Sequence, residues 1–281
     1  MIMKKILSLF FLFIFSLIFP FHVFAANPLP DEPIRILLVP GHDNKIWGAQ
    51  YGNIKEADMN LVLATRIYDL LNGDKRFKVW ITRDSMGYTT EFTDYFTNHQ
   101  ADILSFEKDS KKELQNKINN KSFIKKVDVR HNSATVDVAF RLYGINKWAD
   151  ENKIDAVIHI HFNDYPRKNK WIIGEYKGFA IYMPEGQMAN FKESKQLAKS
   201  IFSQISKKYA PSTYKKELGG FVPDQNLIAL GSNDTLKESV RSVLIEYGYI
   251  YRFGNSKMRH EAYVSMADLT FKGIKNYFFG K

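Results

Sequence analysis

Two histidines and two glutamates stand at strand ends or just beyond them. His42 follows Pro40-Gly41 at the close of an apolar run, and His161 closes another run, with His159 two residues before it. Glu56 opens a helical stretch, and Glu246 follows the apolar trio Val243-Leu244-Ile245. Two imidazole nitrogens and one carboxylate oxygen make a zinc set with the fourth position open to water. A second carboxylate nearby can then take and return a proton. Each residue alone has a plainer reading. A strand-end histidine is more often a hydrogen-bonded core residue, and Glu56 in a first helical turn complements the helix dipole. Glu246 is harder to set aside, because a carboxylate after three apolar residues is partly buried and needs a cation, a metal or several donors. Together the four can converge on one crevice at the carboxyl ends of an α/β sheet.

The elements that would position them follow from the hydrophobic pattern. Short, mostly apolar runs predict strands at Ile34–Val39, interrupted only by Arg35, and at Phe77–Thr82 and Ala156–Phe162. Further strands are expected at Phe179–Met183, Asn226–Leu230 and Val243–Tyr247. Helical spacing marks Glu56–Asn72 through Met59, Leu63, Ile67 and Leu70, with Gly73 as the stop. Helices are also expected over Phe140–Asn152, Ala189–Tyr209 and Glu261–Phe278. Alternating strands and helices predict an α/β fold: a single twisted, mainly parallel sheet flanked by helices on both faces. In such a sheet His159 and His161 point to the same face. Ser85–Thr135 does not follow the alternation. It is polar and lysine-rich, yet Phe92, Tyr95, Phe96, Ile103, Leu104 and Phe106 are too many apolar residues for disorder. It reads as an inserted lid or cap, helical in part, beside the strand ends.

Composition narrows the chemistry. The 281 residues contain no cysteine, which excludes disulfide scaffolds, Fe–S clusters, thiolate-bound zinc and thiol nucleophiles. Lys and Arg number 40 against 30 Asp and Glu, a formal charge of +10 that suits an anionic partner. Lys4 and Lys5, the apolar run Ile6–Phe19 and Val23-Phe24-Ala25 form the pattern of a secretory signal peptide over residues 1–25, followed by a linker at 26–33. Only if that segment is retained does the chain have a membrane anchor. Export turns the positive charge away from nucleic acid and towards lipid headgroups or acidic polymers of the cell envelope. The lysines of the 85–135 segment form either a solvated face or a steering surface for anionic wall polymers.

Several blocks, in order, resemble the zinc-dependent N-acetylmuramoyl-L-alanine amidases of bacterial cell walls. They are Leu38-Val39-Pro40-Gly41-His42, Gly48-Ala49, Ile54-Lys55-Glu56-Ala57-Asp58-Met59-Asn60-Leu61 and Ile81-Thr82-Arg83-Asp84. Arg141, Ile160-His161-Phe162-Asn163 and Val243-Leu244-Ile245-Glu246-Tyr247-Gly248-Tyr249-Ile250 complete the set. The resemblance spans residues 34 to about 278 apart from the insertion, and implies one catalytic domain over 34–281. It implies Zn²⁺ on His42, Glu56 and His161, with Glu246 as the catalytic carboxylate. It also implies a secreted or wall-associated enzyme whose substrate is peptidoglycan, cut between N-acetylmuramic acid and L-alanine by activated water. The chain departs from the family pattern at Asp43-Asn44, where two glycines are usual, and at His159, where Ser is common and a swap of ligand role with His161 is conceivable. Tyr247 and Tyr249 replace an aliphatic residue and Phe. Two other readings stand beside this one: a zinc peptidase on the same fold, acting on stem or free peptides, and a non-catalytic wall-binding protein. The insertion could also hold the enzyme silent until an activator protein or proteolysis moves it. His99, His131 and His260 sit in no motif and are assigned to structure.

Overall fold

The computed structural model describes residues 32–126 and 134–280; the expected signal peptide, most of the linker and His131 lie outside these residues. Six strands form one sheet. In chain order they are β1 (Ile34–Pro40), β2 (Phe77–Ile81), β3 (Ala156–Asn163), β4 (Ala180–Pro184), β5 (Phe221–Asp224) and β6 (Arg241–Tyr249). Across the sheet they run β2-β1-β3-β6-β4-β5, and only the β6–β4 pairing is antiparallel. The expected mainly parallel α/β sheet is what the chain forms.

Strand alternation sorts the core into two faces. Ile36 and Leu38 of β1 join Ile158 and Ile160 of β3 and Val243 and Ile245 of β6 on one face. Helices α1 (Glu56–Asn72), α5 (Phe191–Ile205) and α6 (Ser256–Phe279) cover that face. Leu37, Val39 and Val157 face the other way, against α4 (Val136–Glu151). In α1 the buried stripe runs Met59, Leu63, Ile67 and Leu71, so Leu71 and not the exposed Leu70 completes it. The helix ends as expected, with the Gly73 N–H bonded to the Asp69 carbonyl.

The strand expected at Asn226–Leu230 is absent. Asp224 Oδ1 accepts from the backbone N–H groups of both Asn226 and Leu227, at 2.6 Å each, and turns the chain there. Ile228–Leu230 then forms a single 3₁₀ turn that closes at Gly231, φ +82°. The strand lies earlier, at Phe221–Asp224 on the sheet edge, where Pro223 is tolerated because no further neighbour needs its N–H.

Between β2 and α4 the described residues make two helices, α2 (Thr90–Asn98) and α3 (Gln100–Asn119). Phe92 and Ile103 are fully buried and Tyr95 nearly so, packed with Tyr143, Ile145 and Trp148 of α4. The Phe92 and Trp148 rings lie 4.9 Å apart. The lysines of α3 face outward; Lys111 pairs with Glu107, and Lys117 with Glu113 and Asp234. Among the described residues no helix is long and apolar enough to cross a membrane.

Candidate metal centre

The strand directions bring the four sequence-derived residues together. His161 and Glu246 are direct register partners on the neighbouring parallel strands β3 and β6. Both occupy the face opposite Ile160 and Ile245, near the carboxyl ends. His42 lies two residues beyond β1, and its φ of +62° is a left-handed conformation that non-glycine residues rarely take. Glu56 is the first residue of α1 and is 4% exposed. A cleft of about 340 Å³ is lined by His42, Glu56, His161, Asn163, Asp164 and Glu246.

Within it, one ligand atom each from His42, Glu56 and His161 lies within 4.8 Å of the others. Glu56 bridges the imidazoles: Oε2 is 3.1 Å from His42 Nε2 and Oε1 is 3.0 Å from His161 Nδ1. The Ala49 N–H, at 2.8 Å, and the Phe162 N–H also donate to this carboxylate. Burial pushes the Glu56 pKa up, but the hydrogen bonds from His161 and His42 prevail and hold it well below the usual carboxylate range. For His161 burial prevails and lowers the pKa despite Glu56. For His42 burial also lowers it, but the bond and charge of Glu56 win and the net shift is upward. Two nitrogens and a charged carboxylate at this spacing are the donor set that zinc favours. The backbone is cut to the rings: a Cβ on Gly41 would lie 2.1 Å from His161, and one on Gly48 would lie 2.4 Å from both Glu56 Oε2 and His42.

Glu246 sits apart from this set. Its Oε2 is buried without a hydrogen-bond partner, as a group awaiting a reactant would be. Burial first, then the charges of Glu56 and Glu217, raise its pKa well above the usual carboxylate range. His159 is not brought into the ligand set. Its ring donates to the Ala229 carbonyl, and burial, with the nearby His161, pushes its pKa down to about 3. It lines an adjoining, mostly apolar cavity of about 160 Å³ with Val39, Leu142, Leu227 and Leu244.

Arg83 and Arg141 match family positions without a role that the sequence explains, and the structure supplies one for each. Arg83, 1% exposed, donates to the carbonyls of Pro40 (3.1 Å), Gly41 (3.1 Å) and Ala57 (2.6 Å). It thereby clamps the His42 loop to the start of α1. Arg141 of α4 meets Asp43 at 2.7 Å, and Asp43 Oδ1 caps the N–H groups of Lys45 and Ile46. Asp43 thus braces the loop where glycines are more usual. The hydroxyls of Tyr247 and Tyr249 are also matched: Tyr247 meets Thr270 Oγ1 at 2.8 Å, and Tyr249 donates to Glu217 at 2.9 Å. His99 lies beside Asp102 and His260 beside Arg66, away from the cleft.

The sequence profile of the N-acetylmuramoyl-L-alanine amidases matches residues 97–276, well over half of the chain. The chain belongs to this amidase family. The matched range takes in His161 and Glu246 but not His42 or Glu56, whose place beside them rests on the geometry above. Among solved structures, an N-acetylmuramoyl-L-alanine amidase from Clostridium difficile 630 superposes with a TM-score of 0.55 at 17% identity, covering 89% of this chain and 99% of that one. Ami1 from Mycobacterium smegmatis gives 0.56 at 16%, with the same two coverages. The CwlD amidase from Clostridioides difficile, solved in complex with the GerS lipoprotein, gives 0.54 at 17%, covering 87% and 98%. At these identities the likeness is one of fold. No curated protein sequence matches the chain.

Proposed function

We propose that this amidase is an exported, zinc-dependent peptidoglycan hydrolase that cuts the amide between the lactyl group of N-acetylmuramic acid and L-alanine of the stem peptide. The observation that carries the reading is the convergence of His42, Glu56 and His161 beside Glu246 in one cleft of a chain of this family. His42, Glu56 and His161 would hold the zinc; bound there, it supplies Lewis acidity and lowers the pKa of water towards about 7. Glu246 takes a proton from the attacking water and gives it to the leaving amine. Burial, with the charges of Glu56 and Glu217, raises its pKa, which makes the carboxylate a stronger acceptor for that proton. Residues 1–25, read as a signal, would put the chain with its polymer, and without Lys4 and Lys5 the remaining 38 basic against 30 acidic residues leave a charge of +8 that attracts it to anionic wall polymers. An activating protein partner fits the same reading, since the CwlD amidase was solved with a lipoprotein bound.

The test is digestion of purified peptidoglycan by the zinc-loaded protein, with product analysis. Freed lactyl groups and new L-alanine amines are expected, and Glu246→Gln should cut the rate by about a hundredfold or more while keeping its zinc. New peptide ends without freed lactyl groups would mark a peptidase instead. An unchanged rate in Glu246→Gln would remove that residue from the chemistry.

A further inference from the structure

Four side-chain donors converge on Glu217, a carboxylate only 2% exposed that is not part of the metal set. Asn163 Nδ2 and the Tyr182 hydroxyl donate to Oε1, both at 2.6 Å. The Ser212 hydroxyl (2.6 Å) and the Tyr249 hydroxyl (2.9 Å) donate to Oε2. The donors come from the ends of β3 and β6, from β4 and from the loop before β5, so the carboxylate ties four segments together. Ionised, it is an acceptor only, and each of these four partners can donate.

Asn163 belongs to two places at once: it is bonded to Glu217 and it lines the metal cleft. A side-chain amide has a donor end and an acceptor end, and its neighbours decide which way it turns. With one N–H of Nδ2 committed to a group that cannot donate, the amide cannot flip, and Oδ1 is held at its other end as the acceptor it can offer to the cleft. We propose that Glu217 is a positioning residue for the amidase site, fixing the Asn163 amide so that its Oδ1 accepts an N–H of the substrate beside the metal. This rests on the amidase reading above and adds to it a recognition group for a secondary amide. Glu217 touches neither substrate nor metal; it acts through Asn163.

The test is a swap of the pair. Asn163→Asp sets two carboxylates against each other, turns the donor end into an acceptor and should raise KM about tenfold, the scale of one lost hydrogen bond, with kcat much less affected. Adding Glu217→Gln restores a donor–acceptor pair in the reverse sense: the amide introduced at position 217 donates to one oxygen of the carboxylate introduced at position 163 and leaves the other oxygen facing the cleft. The double variant should return to within about threefold of the wild-type KM. Zinc content and thermal unfolding, measured on every variant, separate this effect from loss of metal or fold. If Asn163→Asp does not accumulate folded, the double variant is compared with Asn163→Leu, which should keep the tenfold defect. A wild-type KM in Asn163→Asp, or a double variant as poor as the single with zinc and fold intact, overturns the proposal. If the wild-type protein releases no lactyl groups, the amidase reading fails instead, and the two failures are distinct. Repeating the assay on N-deacetylated muramyl substrate locates the donor. Loss of the Asn163→Asp effect there assigns it to the acetamido N–H, and persistence assigns it to the stem peptide.

Discussion

The metal cleft and the helices between β2 and α4 are built in opposite ways. The cleft gathers residues as distant in sequence as His42 and Glu246, each delivered by a strand end or a helix start. It is left with local costs: a left-handed His42 and a buried Glu246 oxygen with no partner. Helices α2 and α3 are one contiguous stretch with Phe92, Tyr95 and Ile103 pressed into the core and charges paired one turn apart on the outside. Chemistry therefore sits where the fold tolerates strain and unsatisfied polarity, and stability where it does not.

That contrast can be broken most forcefully at His42. His42→Ala should lose stoichiometric zinc and at least about a hundredfold in hydrolysis, while its circular dichroism and metal-free melting stay close to wild type. Retained zinc, measured by metal analysis, would place the site elsewhere, with His159 the first residue to examine.

The reverse pattern is expected at Phe92. Phe92→Ala leaves a cavity against Trp148 and should cost about 3–5 kcal/mol in denaturant unfolding, while the folded fraction keeps its zinc. Unchanged global stability would mean that α2 is not part of the core. Arg83 joins the two regions, since it lies just after β2 and clamps the loop of His42. Arg83→Met should weaken zinc binding on the order of tenfold in competition with a chelator, as for other groups that orient metal ligands.

The smallest effect concerns the far end of the helical segment. Lys126 pairs with Glu185 at 2.5 Å, and its N–H donates to Gln225. Burial raises the Glu185 pKa, but Lys126 first, then Gln187 and Gln225, bring it down to about 2 from the ordinary 4.5. Because the folded value lies below the unfolded one, this contribution is present above about pH 4.5 and fades as the pH falls towards 2. Melting temperatures across that window should drop more steeply for wild type than for Glu185→Gln. Parallel curves would detach the segment end from this anchor.

The two regions were unequally legible in the sequence. Strand-end placement singled out His42, His159, His161 and Glu246, and a helix start Glu56, while the division of roles among them came from the resemblance to the amidases. Helical spacing put α1 at Glu56–Asn72 without error in either bound. Asn226–Leu230 misled because its apolar residues are held by an Asx turn at Asp224, a side-chain effect that periodicity does not register. The packing of α2 was hidden because one buried residue per turn among threonines and acids looks like surface until Trp148 is known to sit opposite. Arg83 and Glu217 escaped for a related reason: what they do depends on carbonyls and hydroxyls from segments far away in sequence.

The direction of β1 has one more consequence. His42 and the cleft lie past its carboxyl end, whereas the chain enters at Ile34, the first of seven residues in a strand that advances about 3.3 Å per residue. Roughly 20 Å of sheet thus separates the point of entry from the catalytic mouth. A group fused directly ahead of Ile34 would therefore join the molecule at the end of the sheet away from the mouth.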